Sequence, residues 1–438
     1  MKTIHVTGIV LAVAGILTLA SFSDSLEKKR RHKTTYRSIP QGCVFRTVMG
    51  EEPSDSSFMY FTPDNAARAI DGGISWVIKA QHPGGGWGSG SHSRQDVMDP
   101  HAVQADPATT SMVAMALLRS GHSLNKGDYT DQMRKAVGYL LKAVETSQTQ
   151  SLTITEQTGT QIQTKLGANI DVILTSQFLS NLLDGHLDFD PMLKDRVKSA
   201  NARCITKIQR AMDVNGSIQG SGWAGVLQSS FATNAMEAAQ AQGVRVDDKA
   251  LEKAREFQKS NFDSKTGDVR TELGAGVMLY SVTGSARASA KEARKVEEEM
   301  ARAKRDGRLS ENAAPSVSNL EKIGFSSDEA MKHATAYEVY QSAKVRAQQD
   351  EVMDGFGSNG GEEFLSYLQT GESMIIGKDN AWKKWYDNTS GRLVKIQNDD
   401  GSWSGHHCIT SPVFCTATCL LILSVNNDVE RLTAQGAK

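Results

Sequence analysis

The chain has 438 residues, of which 39% are apolar and 38 are glycine. Its length exceeds one ordinary domain of about 100–200 residues, although a closed helical array can use it as one unit, and the apolar content suffices for a sizeable core. The 49 basic and 50 acidic residues leave a net charge of −1, which excludes a broad nucleic-acid surface, and only 9 prolines exclude a collagen-like chain. Abundant Ala, Ser, Gln and Lys with few β-branched runs point to helix.

Residues 1–23 carry Lys2, the apolar run Ile9–Ala20 and then small residues. Twelve apolar residues have the size of a signal-peptide core and fall short of the roughly 20 that span a membrane. A cleaved signal and an exported chain, periplasmic or secreted, are therefore expected. The alternative is an anchor formed by residues 4–22, supported by the basic cluster Lys28–Lys33 that follows. Residues 24–63 show no repeat and read as a leader.

From residue 64 to 426 one pattern recurs: a helix, a Gln, a Gly-rich turn, and a second helix opened by Thr, Ser and Ala. The first copy is Ala69–Gly88 followed by Thr109–Leu118; the last is Arg392–Trp403 followed by Cys415–Leu423. Decayed copies lie between. First helices are expected near 66–81, 131–147, 196–212, 247–260, 285–306 and 378–397. Second helices are expected near 110, 175, 233, 276, 336 and 417, the fifth being His333–Tyr340. Residues 307–330 read as a loop and 427–438 as a tail. A two-helix hairpin cannot bury its apolar face alone, so stacked hairpins share a core and closure removes free ends. The second helices are poor in charge and belong inside; the first carry Lys, Arg and Glu and belong outside.

At these residues the chain resembles the squalene-cyclase and protein-prenyltransferase repeat family. That family's signature is an apolar or aromatic residue, Gln a few residues later, a short turn and Gly-x-Trp. Trp76, Gln81 and Gly85-Gly86-Trp87 fit it, as do Leu393, Gln397 and Gly401-Ser402-Trp403, while Gln209 matches loosely. Gly360–Phe364 with Trp382-Lys383-Lys384-Trp385-Tyr386 looks like the family's C-terminal repeats. The resemblance implies an all-α fold, an α6/α6 toroid with a central cavity. It also implies that Gln81, Trp87, Gln397 and Trp403 are structural, the Gln amides bonding helix-end groups.

The family's chemistry is not reproduced. Squalene-type cyclases use an Asp-x-Asp-Asp run as a proton donor; the nearest approach, Asp188-Phe189-Asp190, lacks the third Asp and sits where a helix cap is expected. Prenyltransferases hold zinc with Asp, Cys and His. His406-His407-Cys408 has suitable ligand types, but not the family's spacing, and no cofactor is expected. Cys415 and Cys419, one helical turn apart, could pair with each other or with Cys408; burial as free thiols, with Cys204, is the simpler expectation, and an odd count including Cys43 leaves one thiol over.

Loops before the inner helices should gather at one mouth of the ring, bringing His101, Asp106, Trp223, His406 and His407 together as a binding site. The chain is thus expected to be a non-catalytic binding or scaffold protein for an apolar ligand, a glycan or a protein partner. The alternative is a cyclase-like or lyase-like enzyme with an unconventional acid.

Overall fold

A computed structural model describes residues 61–353 and 360–437. The signal or anchor segment, most of the leader and Cys43 lie outside the described residues. Sixteen α-helices and no ladder-forming strand occur among the described residues, so the fold is all-α as expected. In chain order they are α1 (Asp64–Lys79), α2 (Pro107–Arg119), α3 (Thr130–Thr146), α4 (Gln161–Leu166), α5 (Ile170–Leu183), α6 (Pro191–Arg210), α7 (Gly225–Ala241) and α8 (Asp248–Lys259). There follow α9 (Met278–Arg305), α10 (Val317–Lys322), α11 (Ser327–Arg346), α12 (Asp350–Met353), α13 (Glu363–Ile376), α14 (Trp382–Lys395), α15 (Pro412–Leu423) and α16 (Val429–Ala437).

Six helices pack in a cycle. α2 lies against α5, α5 against α7, α7 against α9, α9 against α13, α13 against α15, and α15 returns to α2. The other member of each pair lies outside: α3 rests on α2, α6 on α5 and α7, α8 on α7 and α9, α11 on α9, α14 on α13 and α15, and α1 on α15 and α14. This cyclic packing is what a two-layered helical ring requires.

The outer helices are amphipathic. α1, for example, buries Ala66, Ala69, Ile70, Gly73, Ile74 and Val77 on one stripe. The inner helices α2, α5, α13 and α15 are buried on every face. Side chains therefore fill the ring where the resemblance implied a central cavity. The filling is polar and largely paired within itself. Ser111 meets Thr175 at 3.1 Å and Ser230 meets Gln369 at 2.8 Å. Thr233, Thr283, Thr370 and Thr418 return their hydroxyls to carbonyls one turn back. Small hydroxylic residues let the six helices approach closely, and most of their hydroxyls find partners.

The repeat motif is structural in each intact copy. Gln81 Nε2 donates to the carbonyls of Gly85 and Gln132, the latter on α3. Gln397 Nε2 donates in the same way to Gly401 and to Ala69 on α1. Trp87 Nε1 donates to Val77 O at 2.7 Å, Trp403 Nε1 to Leu393 O at 2.9 Å, and both rings are fully buried. Each motif thus joins its hairpin to the next outer helix, and Gln397 closes the ring. Gly85, Gly216 and Gly401 share φ of +92°, +92° and +94°. A Cβ there would lie 2.5, 2.2 and 2.7 Å from carbonyl oxygens of Lys135, Lys253 and Gly72. Only glycine allows that conformation and that approach.

The fifth hairpin differs from the expectation. Residues 285–306 are not a separate outer helix; they continue α9, whose first half is the fourth inner helix. His333–Tyr340 lies in outer helix α11, and the fifth inner helix is α13. Low charge was the guide to the inner ring, and α13 breaks it with Glu363 and Glu372, both buried. Residues 307–330 include α10, and residues 429–437 form α16, packed on α7, α9 and α13. No single helix among the described residues is long and apolar enough to cross a membrane.

Candidate functional site: a polar groove at the loop-bearing mouth

The loops that precede the inner helices do meet. Ser91 bridges to Thr160, Gly167 to Ser221, and Thr410 Oγ1 donates to Gln95 O at 2.7 Å. Tyr280, at the start of α9, donates to Glu362, just before α13. On this mouth lies a groove of about 1180 Å³. One wall is the loop from Thr146 to Gly159, and the other is Gly220–Trp223, with Gln163 and Thr164 between. Its lining is mostly Ser, Thr, Gln and Gly, with Ile154, Ala168 and Trp223, and Glu156 is its single ionisable side chain. Trp223 ends it, 58% exposed. The Trp223 indole is oriented by Lys165 Nζ, 5.9 Å from the ring centre, and by the edge of His92 at 5.3 Å. Trp223 is free for this position because Ile218, not Trp223, fills the place of Trp87 in its repeat: the Ile218 amide donates to Ser229 Oγ as the Trp87 amide does to Thr110 Oγ1.

The long loop is held from behind by α6. Arg196 takes Glu145 in a two-pronged ion pair at 2.6 and 2.8 Å. Arg203 donates to the carbonyls of Glu145 and Ser147, and Arg210 to those of Thr149 and Gln150. Lys207 donates to Gln148 O and Ser151 O at 2.7 and 2.6 Å. Burial and the neighbouring Arg203 lower the Lys207 pKa. Positions 196, 203, 207 and 210 share one helical face, so a single stripe of cations anchors the first part of the rim, Glu145–Ser151. A rim held in this way loses little freedom when a ligand arrives.

Two carboxylates lie behind the groove floor. Asp106 caps α2, accepting from the backbone and hydroxyl of both Ser89 and Thr109, and burial raises its pKa. Asp171 accepts from Ala108 N at 2.9 Å and Gln163 Nε2 at 2.7 Å, and is pushed up to about 7 by burial and by Asp106. Gln163 also donates to Gln157 O, so it connects the buried acid to the groove wall.

The folded chain therefore retains a proton on Asp171 that the unfolded chain releases near its ordinary value of about 3.9. The contribution of Asp171 to stability is greatest below that value and declines as pH rises toward 7. His122 and His186, lowered by burial, act with the opposite sign near neutrality. Urea unfolding of wild type and Asp171→Asn at pH 5, 6, 7 and 8 isolates the acid. The variant is expected to be the weaker at pH 5, where its amide meets the Gln163 amide, and to close on the wild type by pH 8. Parallel pH curves would remove Asp171 as a titrating group.

The other expected site residues are dispersed. His101 Nε2 lies 3.1 Å from Lys79 O and packs on His82, so it serves the end of α1. His406 and His407 are exposed and pack on each other, while Cys408 turns inward to Lys165. No group of three His, Cys, Asp or Glu side chains suited to a metal occurs among the described residues. Asp188 pairs with Lys194 at the surface, and Asp190 caps α6 by accepting from Leu193 N, the cap its position suggested. Cys204, Cys408, Cys415 and Cys419 are free and buried, and burial raises each thiol pKa.

The cluster of Gln161, Lys165, Tyr280 and Glu362 was not foreseen. Its one sequence signal was the Thr160-x-x-Gln163 capping box, which starts α4 and sets Gln161 and Lys165 one turn apart. No protein-family model matches this chain, and no curated protein matches it.

Proposed function

We propose that the chain is an exported binding protein, built on a toroid like that of squalene cyclases and protein prenyltransferases, whose groove takes an extended, uncharged, hydroxyl-rich chain: a glycan. The observation that carries this is the groove itself, lined by hydroxyls and amides and ended by exposed Trp223. Amides and hydroxyls offer donors and acceptors without charge, as sugar hydroxyls require, and an indole face stacks on the apolar face of a sugar ring. The motif hydrogen bonds and the cyclic packing support the scaffold, and the apolar run Ile9–Ala20 supports export. An apolar ligand fits less well, because the ring is filled by its own side chains.

The enzyme alternative has one observation, the raised pKa of Asp171. Its oxygens are engaged by Ala108 and Gln163 and it is fully buried, so a groove ligand does not meet it.

Calorimetric titration with neutral glucose, galactose and mannose hexasaccharides tests the proposal. Trp223→Ala is expected to weaken binding at least tenfold, about 1.4 kcal/mol. Lys207→Met, which releases the rim, is expected to weaken it with little change in helicity. Failure of every neutral hexasaccharide to bind wild type, or full affinity in Trp223→Ala, would overturn it.

A further inference from the structure

One side chain joins the groove to the interior of the ring. Gln163 lines the groove, and its Nε2 donates to two acceptors: Gln157 O on the groove wall at 2.9 Å and Asp171 Oδ2 inside the ring at 2.7 Å. Its Oε1 is held more loosely, accepting from the Thr160 amide at 3.4 Å as the return half of the capping box. Asp171 is fully buried, and its other oxygen, Oδ1, accepts from the amide of Ala108, at the start of α2, at 2.9 Å. Both carboxylate oxygens therefore face N–H donors.

These donors suit the ionised carboxylate and oppose the acid. A proton on Oδ1 would meet a main-chain donor fixed by α2. A proton on Oδ2 meets the Gln163 amide, which can turn. Half a turn of that amide presents Oε1 to the acid and gives up only the 3.4 Å bond to Thr160. It also takes Nε2 away from Gln157, whose carbonyl loses this donor. A proton taken up inside the ring is thus felt at the groove wall. Burial and Asp106 favour that uptake and bring it near neutral pH.

The charges on the elements around α5 are mostly engaged elsewhere. α2 brings Asp106 at its cap, while its Arg119 is taken by Glu372 and Asp428. Lys165 of α4 pairs with Glu362. α6 turns Arg196, Arg203, Lys207 and Arg210 to the loop and Lys194 to Asp188; its Asp195 and Lys198 are exposed, and Cys204 is a buried thiol. Glu237 of α7 is held by Arg255 and Arg287. Tyr139 of α3 faces both acids, which with burial raise its pKa, and donates to Ala105 O.

We infer that Asp171 and Gln163 form a proton-operated latch on the groove: the ionised acid fixes the Gln163 amide and through it the wall at Gln157, whereas the protonated acid turns the amide and frees the wall, so that a groove ligand binds more tightly once the proton has left. The latch regulates the site already described, and only its ligand rests on the glycan reading.

Two measurements on the full chain test it. Hydrogen–deuterium exchange at the amides of residues 148–159, at pH 6 and pH 8 and corrected for the intrinsic rate, reports the wall without any ligand. The wild-type loop is expected to be about three- to tenfold better protected at pH 8, the worth of one hydrogen bond. Asp171→Asn sets an N–H where the proton would sit, and Gln163→Met fills the space without a donor. Each is expected to show the pH 6 level of protection at both pH values, a loss of pH response that loosened packing alone would not produce. Calorimetry with the neutral hexasaccharides at the same pH values reports the ligand. Wild type is expected to gain a similar factor in affinity from pH 6 to pH 8. Both variants should lose that gain, apart from what His92 and Glu156, also at the groove, contribute to all three proteins. The same pH dependence of exchange in wild type and both variants would overturn the latch. A wild-type loop that tightens with pH while no hexasaccharide binds would keep the latch and overturn the glycan reading.

Discussion

Arg119→Met is expected to destabilise the fold by about 3–5 kcal/mol, the usual consequence of removing one partner from a buried ion pair. Arg119, at the end of α2, donates to Asp428, to Leu421 O at 2.9 Å and to Glu372 at 2.7 Å. It belongs to a chain of seven charges: Arg255, Glu237, Arg287, Glu372, Arg119, Asp428 and Arg431. These side chains come from α8, α7, α9, α13, α2, the turn after α15, and α16. Burial works against the Asp428 and Glu237 carboxylates, yet their arginines hold both pKa values below the usual range. Arg119 also lies in the last turn of inner helix α2, where a cation offsets the partial negative charge of the terminal carbonyls. Removing Arg119 leaves Glu372 and Asp428 with too little compensation in a low-dielectric interior. Arg119→Lys is expected to recover little, because one ammonium cannot reproduce the planar fork that meets three acceptors. Urea unfolding monitored by circular dichroism measures both. A loss below about 1 kcal/mol for Arg119→Met would show that the chain of charges is not needed for stability. Adding Glu372→Gln to Arg119→Met should recover part of the loss, since the two residues share one interaction.

Trp403→Ala should cost a similar amount, about 3–5 kcal/mol for a large buried aromatic. The ring is fully buried, its N–H is bonded to Leu393, and it packs where the last hairpin meets the first: a Cβ at Gly73 of α1 would lie 2.9 Å from its indole. Trp403→Phe retains most of the volume and removes one hydrogen bond to Leu393 O, which keeps the Ile396 amide, so its loss is about 0.5–1.5 kcal/mol. Thermal melts of the two variants beside the matching pair at Trp87 separate packing from closure. If Trp403 matters chiefly by closing the ring, its loss exposes the α1 face to proteolysis and that of Trp87 does not. Equal digestion of the two variants would make them equivalent packing residues.

Much of the ring was legible because its signals are local. Helical periodicity, the Gln and Gly-x-Trp turn, and the low charge of Ser111–Leu118 located five of the six inner helices. The fifth was misplaced because two distant arginines neutralise Glu372 inside the ring, and no local pattern records a partner more than 80 residues away. The cap role of Asp190 was readable from its place before a proline; the full burial of Asp106 was not. Trp223, expected at the mouth, lines the groove. Its groove partner, the Thr146–Gly159 loop, has no periodicity, and its shape comes from cations that sit about 50–60 residues later on α6. The His406-His407-Cys408 run suggested a metal from residue types alone, and the backbone turns its two halves apart.

Closure also bears on how the chain acquires its shape. Trp76 donates to Asp400, 324 residues away, and Gln397 donates to Ala69. Contacts of such separation slow folding, because a long loop must close before they reward it. During synthesis the first hairpin emerges with one flank packed on the second and the other bare. That flank stays bare until α14 and α15, about 300 residues later, have been made. Until then the array has two apolar ends, and α14 with α15 acts as the clasp. A nascent chain of this kind depends on its elongation rate and on whatever shields its first helix in the meantime.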